Sequence, residues 1–146
     1  QEFVKTKNSV ADAVLNAKLM YCKEQDIPAV ISVDKNIRGL TQTELCCVLG
    51  NLLDNAIEAE LKLSKAQRKI EIKIVMIEEV LDILIRNRIA EPVLQNVQNV
   101  KNIGTTKQDA GNHGFGLKNV REIVKKYDGF MDLYEDSGCF CVHIRI

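Results

Sequence analysis

The sequence predicts an α+β fold, a two-layer sandwich in which three helices cover one face of a mixed sheet of about five strands. Three observations predict it. Three segments repeat apolar residues at three- and four-residue spacing, the period of a helix buried along one side. Five shorter segments alternate apolar and polar residues or run continuously apolar, as strands do. The stretches between them are polar and, with one exception, short.

Residues 8–24, NSVADAVLNAKLMYCKE, place Val10, Val14, Ala17 and Tyr21 on a helical stripe. Pro28 stops that helix, because proline disfavours helical backbone at the residue before it. Residues 29–33, AVISV, read as a short strand. Thr41 and Glu44 fit a capping box, with a hydroxyl at the N-cap and a carboxylate three residues on. A helix from there to about Leu63 has Leu45, Val48, Leu49, Leu52, Leu53, Ala56, Ile57 and Ala59 on its apolar face. Residues 64–69, SKAQRK, form a polar loop. Residues 70–77, IEIKIVMI, and 80–87, VLDILIRN, are two strands, and Glu78-Glu79 between them is a tight hairpin turn without the favoured glycine.

From Arg88 to His113 the periodicity disappears, and Asn, Gln, Gly, Lys and Thr dominate. A loop of about 25 residues in a compact domain is commonly functional, such as a lid. Within it VLQNVQNVK suits a short helix. Residues 116–127, GLKNVREIVKKY, are helical again, with Leu117, Val120, Ile123 and Val124 on one face and Lys125-Lys126 at the favourable C-terminal end. Asp128-Gly129 stops this helix. Residues 130–135 and 139–146 are strands around a turn at Asp136-Ser137-Gly138. In the second, Phe140, Val142, Ile144 and Ile146 alternate with Cys139, Cys141, His143 and Arg145.

The 146 residues make one ordinary domain, expected to span 1–146. Twenty Lys and Arg balance twenty Asp and Glu, so a general basic footprint for nucleic acid or an anionic membrane is absent. Any phosphate binding must come from a local device. A hydrophobic share of 46% with 27% charged residues excludes a disordered chain. No stretch approaches the roughly 18 apolar residues of a membrane span, and Gln1-Glu2-Phe3-Val4-Lys5 is no signal peptide. The five cysteines include adjacent Cys46 and Cys47, and Cys139 and Cys141 two apart, which is neither redox nor zinc spacing. Reduced thiols packed as small hydrophobes in a cytosolic protein are the expectation.

Two places carry chemistry. Asn51 and Asn55, one helical turn apart in NLLDNA, project their amides from one face of an otherwise apolar helix. They read either as amides on a solvated edge or as hard oxygen ligands at a metal–phosphate site, since Mg²⁺ takes oxygen and keeps several waters. Gly111-Asn112-His113-Gly114-Phe115-Gly116-Leu117 lies directly before a helix. Glycines let backbone approach a ligand, and a helix start offers free N–H groups to an anion. A hinge that only positions the helix is the alternative. The run matches neither the dinucleotide-binding nor the P-loop pattern.

Together these motifs resemble the GHKL ATPase superfamily of gyrase, heat-shock chaperone ATPases, mismatch-repair ATPases and histidine kinases. Asn51-Leu52-Leu53-Asp54-Asn55-Ala56-Ile57-Glu58-Ala59 is similar to its N box, and Gly114-Phe115-Gly116-Leu117 to its G2 box. Thr105-Thr106-Lys107 followed by Asn112-His113-Gly114-Phe115-Gly116-Leu117 resembles peptide-pheromone (Agr-type) sensor histidine kinases. The resemblance covers nearly the whole chain and implies a GHKL-type sandwich. It implies that Asn55 ligates Mg²⁺ and that backbone from Gly114 to Leu117 cradles the β- and γ-phosphates of ATP. Lys107 is a candidate cation for those phosphates, or an ordinary solubilising lid residue. His113 is a candidate lid contact, and His143 a strand-surface residue. Asn51 stands where hydrolysing members carry a glutamate general base, and an amide cannot accept a proton from water as a carboxylate does.

The sequence also departs from the family. The usual DxGxG of the G1 box is replaced by Ile85-Arg86-Asn87-Arg88-Ile89, with Asn87 at the aspartate position. Its amide oxygen can accept from the adenine amino group without a full charge, so weaker adenine affinity is expected. Glu58 stands where many histidine kinases carry a basic residue, and Asn112 replaces the first G2 glycine. Neither histidine suits a phosphoacceptor. The resemblance therefore implies the catalytic ATP-binding domain of a longer, membrane-linked sensor kinase, lying on the cytoplasmic side. Its partners are a histidine-bearing dimerisation domain upstream and a response regulator downstream, with no nucleic acid and no membrane segment in this fragment. The opening helix is the tail of that dimerisation hairpin or the domain's own first helix. The alternatives are a degenerate nucleotide-binding module acting through protein contacts and a self-contained ATPase.

Overall fold

The computed structural model describes residues 4–94 and 113–146. Its elements are α1 (Ser9–Glu24), β1 (Ala29–Val33), α2 (Gln42–Leu61), β2 (Ile70–Ile77), β3 (Val80–Arg88), α3 (His113–Lys126), β4 (Phe130–Asp136) and β5 (Cys139–Arg145). A 3₁₀ turn, Lys65–Gln67, lies within the loop expected at 64–69. The strands form one open mixed sheet in the order β1-β2-β3-β5-β4. Strand β1 runs parallel to β2, and every other pairing is antiparallel. The three helices and five strands among the described residues are those the sequence predicts.

Local chemistry explains the boundaries. The Asn8 side chain caps α1 by accepting from Ala11 N at 3.0 Å. The helix ends well before Pro28. Asp26 takes a left-handed φ of 57°, and Ile27 N reaches back to Cys22 O at 2.8 Å, which is a Schellman closure. Helix α3 ends in the same way, with Asp128 at φ 54° and Gly129 N bonded to Val124 O at 2.8 Å. Aspartate occupies the left-handed position in both, where its short polar side chain is tolerated. Gly129 serves a different purpose, because a β-carbon there would lie 2.5 Å from the Arg145 carbonyl oxygen. The capping box of α2 is formed as expected: Glu44 N bonds Thr41 Oγ1 at 3.1 Å and Thr41 N bonds Glu44 Oε1 at 2.9 Å. Both hairpins turn in two residues, with Glu78 at φ 57° in one and Ser137 and Gly138 at 54° and 77° in the other.

Helix α2 is the centre of the helical layer. It touches α1 and α3 on its flanks and packs on β2 and β3 beneath. It buries Leu45, Val48, Leu49, Leu52, Leu53, Ala56 and Ile57 against Ile70, Ile72 and Ile74 of β2 and Leu81, Ile83 and Ile85 of β3. Each leucine, isoleucine or valine among them contributes roughly 1.5–3 kcal/mol on removal from water. Two expected faces need correction. On α1 the buried stripe is Ala11, Leu15, Leu19 and Cys22, one or two positions on from Val10, Val14, Ala17 and Tyr21. Both stripes have helical spacing, and the leucines bring more apolar area to the core. On α2 Ala59 is only half-buried, and the last core position is the fully buried Glu60.

The sheet's other face is polar but not bare. Buried Asp82 accepts from Arg145 Nε at 2.9 Å and pairs with His143 Nε2 at 3.0 Å. The Phe130 ring meets the His143 ring edge-on at 5.9 Å between centroids. His143 is thus a half-buried partner of Asp82, not a simple surface residue. All five cysteines are free, and Cys22, Cys139 and Cys141 are buried.

Candidate functional site

Helix α2 carries Asn51 and Asn55 on successive turns, both half-buried beside the core leucines. Asn51 Nδ2 donates to Cys47 Sγ at 3.2 Å, one turn back along the helix. Its Oδ1 faces α3: a β-carbon on Gly116 would lie 3.3 Å from it. The two motifs that the sequence singles out are therefore in contact across the α2–α3 seam.

Helix α3 begins at His113, three residues before the expected start at Gly116. His113, Gly114, Phe115 and Gly116 form its first turn instead of a loop ahead of it. The first four N–H groups of an α-helix have no partner within it, so the glycine motif itself supplies the donors left over by the helix ladder, at the positive end of the helix dipole. Leu117 sends its side chain into the core, 4% exposed, and so anchors that turn. Lys107 and Asn112 lie outside the described residues, as do the Thr105-Thr106 pair and most of the segment expected as a lid. The part of that segment that is described leans on β4, where Val93 N and Leu94 N both donate to Glu135 Oε2, at 2.5 and 2.6 Å.

The ends of α2 and α3 opposite this turn are tied together. Glu44 accepts from Lys126 Nζ at 2.6 Å and from the Tyr127 hydroxyl, while still completing its own capping box. The Lys126 ammonium first, then the Tyr127 hydroxyl and the Thr41 N–H, hold its carboxyl down to about 2. One carboxylate thus fixes how α3 lies along α2, and with it the approach of Gly116 to Asn51. On the other flank, Lys18 of α1 pairs with Asp54 at 2.5 Å.

Asn87 closes β3 on the helix-facing side of the sheet, opposite Ile70 and Phe140, and is 3% exposed. Its Nδ2 donates to Arg88 O at 3.1 Å. Beside it stands a residue that sequence reasoning missed. Glu60 Oε1 accepts from Lys69 N at 2.6 Å, and its buried Oε2 has no hydrogen-bond partner among the described residues. Burial pushes the Glu60 carboxyl up, against the smaller downward pull of the Lys69 N–H, the Asn87 amide and the Arg88 N–H. The available signal was a glutamate at a core position, one turn beyond Ala56 and Ile57.

Among the described residues no cluster of His, Cys, Asp and Glu could hold a metal. The oxygen chemistry present is that of Asn51 and Asn55, which suits a hard cation that keeps water and phosphate oxygens as its other ligands. A surface cavity of about 410 Å³ lies at the α1–β1 junction, lined by Leu19, Lys23, Asp26, Ile27, Pro28 and Ala29. It contains none of these site residues. No helix among the described residues is long and apolar enough to cross a membrane.

Comparison with known proteins gives concordant results. The family model of the GHKL domain matches residues 40–146. A probable C4-dicarboxylate sensor kinase of Bacillus subtilis is 24% identical over 136 residues, which cover 90% of this chain and 25% of that protein. The sensor histidine kinase DpiB of Escherichia coli is 27% identical over 107 residues, covering 69% of this chain and 19% of that protein. The chain thus spans a quarter or less of the length of these curated relatives. Among solved structures, the nucleotide-free catalytic domain of histidine kinase ThkA superposes with a TM-score of 0.77 at 20% identity, over 100% of this chain and 95% of that one. The mycobacterial sensor histidine kinase MprB gives 0.72 at 17% identity, over 94% and 92%.

Proposed function

The chain belongs to the GHKL domain family, and from that premise we propose that it binds Mg²⁺-ATP and passes the γ-phosphate to a histidine on a separate dimerisation domain, in two-component signalling. The observation that carries this reading is the contact of Gly116 with Asn51 Oδ1, which joins the glycine turn to the asparagine pair. Asn55 is the Mg²⁺ ligand in this reading, with Asn51 one turn before it. Bound Mg²⁺ would neutralise charge on the β- and γ-phosphates. Backbone N–H groups from Gly114 to Leu117 receive the phosphate oxygens, flanked by Asn112, His113 and Phe115, with Lys107 as an added cation. Asn87 accepts from the adenine amino group.

Asn51 offers no carboxylate to activate water. General-base help is typically worth 10²–10⁴-fold, so its absence suppresses hydrolysis. It leaves transfer open, because a neutral imidazole needs little activation near neutral pH. Catalysis then rests on positioning and electrostatics. The Thr105-Thr106-Lys107 and Asn112-to-Leu117 runs support the narrower reading of a peptide-pheromone sensing kinase, working on the cytoplasmic side of a membrane sensor with a response regulator as the next acceptor.

Titration calorimetry and radiolabel transfer test the proposal. ATP binding should require Mg²⁺ and be lost in Asn55→Ala. Label should reach protein only when a histidine-bearing dimerisation domain is added, and Asn51→Glu should raise hydrolysis at the expense of transfer. Binding that is indifferent to both Mg²⁺ and Asn55→Ala would remove the metal assignment. Rapid turnover by the unmodified chain alone would favour an ATPase.

A further inference from the structure

We infer that Glu60 is a positioning residue that turns the Asn87 amide so that its oxygen, and not its nitrogen, meets the adenine amino group; the inference rests on the nucleotide reading above. An asparagine amide is a donor at one end and an acceptor at the other, and the two ends are nearly alike in shape. Where an aspartate presents an acceptor whichever way it turns, an asparagine does so in one orientation only. Replacing aspartate by asparagine at an adenine-reading position therefore demands a second group that fixes the flip.

The surroundings of Asn87 supply it. Its Nδ2 has two hydrogens. One is directed at Arg88 O, 3.1 Å away. The other acceptor at this place is the Glu60 carboxyl: its Oε1 sits on Lys69 N, one residue before Ile70, which faces Asn87 across the β2–β3 pairing, and the amide favours its charged form. Both neighbours are acceptors, so the nitrogen end is favoured inward and the oxygen end is left for a ligand. The glutamate is well held for this. It is fully buried, Oε1 is fixed by Lys69 N at 2.6 Å, and Oε2 is an orphan among the described residues. A buried carboxylate oxygen without a partner is costly, and while Oε1 answers the Lys69 N–H, the packing of α2 on the sheet gives Oε2 no such task. An orienting task for the amide gives that carboxyl a reason to be there.

The test compares Mg²⁺-ATP with Mg²⁺-purine riboside triphosphate, which lacks the amino group, by calorimetry on the chain. Wild type should prefer ATP by about fivefold, the equivalent of one neutral hydrogen bond. Glu60→Gln introduces a donor that competes for the Asn87 oxygen, and Glu60→Met removes the acceptor. Both should bring the preference toward unity while leaving the affinity for the analogue unchanged. In an Asn87→Asp background, where orientation no longer matters, Glu60→Gln should not lower the preference. A merely structural role for Glu60 would weaken both ligands together. In the unsubstituted, ligand-free chain, both Asn87 side-chain amide protons should be protected from solvent exchange by NMR; fast exchange of both would overturn the inference without any Glu60 variant. An ATP preference that persists in both Glu60 variants sinks the inference alone. Failure of wild type to bind either triphosphate removes the nucleotide reading and the inference with it.

Discussion

Two glycines show how differently one residue type is used here. A β-carbon at Gly129 would lie 2.5 Å from a backbone oxygen on β5, where nothing flexible can give way. Gly129→Ala should therefore destabilise the fold by about 1–3 kcal/mol in urea unfolding. At Gly116 the obstacle is the end of a half-buried side chain, Asn51 Oδ1, at 3.3 Å. Alanine's helical preference, up to about 1 kcal/mol, offsets that crowding. The urea midpoint of Gly116→Ala should stay near the parent value while Mg²⁺-ATP affinity falls several-fold, as read by calorimetry. Sequence reasoning found both glycines and placed the stop after α3 at the Asp128-Gly129 pair, without telling Asp128 from Gly129. The left-handed residue is Asp128. Close approach of another strand is a tertiary fact with no local signature. The same limit hid Glu60, which is buried where Lys69, just before β2, and Asn87 of β3 come together.

At the level of elements, what was legible is what is fixed locally. The capping box of α2 and the Glu78-Glu79 turn follow from neighbouring residues and were read correctly, whereas the second turn is one residue shorter than expected, because Asp136 still belongs to β4. The buried face of α1 was misread, because its two candidate stripes differ only in what the rest of the molecule presents to them. The early start of α3 escaped because glycines break the apolar period. The α2–α3 tie through Glu44 was invisible too, since Lys126 and Tyr127 are distant in sequence. It has a pH signature. The folded carboxyl titrates at about 2, below the ordinary 4.5 of the free group. A depressed folded value means that ionised Glu44 contributes stability above about 4.5, and that this contribution is lost as pH falls through about 2. Wild type should lose stability more steeply across that window than Glu44→Gln, while the variant is the less stable at pH 7. Thermal unfolding of both at several pH values checks this, and parallel curves would contradict it.

For the molecule as a whole, the five thiols report on integrity. Cys46 is exposed and Cys47 half-buried, whereas Cys22, Cys139 and Cys141 are buried. Burial pushes the Cys22 thiol up to about 11 and also raises Cys141. At pH 8 an aromatic disulfide reagent should modify Cys46 quickly and Cys47 more slowly, with the other three reacting only on unfolding. The architecture, element order and central motifs were all within reach of the sequence, because a two-layer sandwich follows from period and turn chemistry. The order of strands in the sheet was not. That order makes β2–β3 and β4–β5 neighbours along the chain, each joined by a two-residue turn, while β1 reaches β2 only across the whole of α2. Refolding should therefore proceed from the local hairpins, whose ends meet within microseconds, to the parallel edge strand, whose loop-closure entropy is the larger. In stopped-flow chevrons Ile83→Val should slow folding, and Ile31→Ala should act mainly by speeding unfolding. The strand that comes first in the chain would be the last to join the sheet.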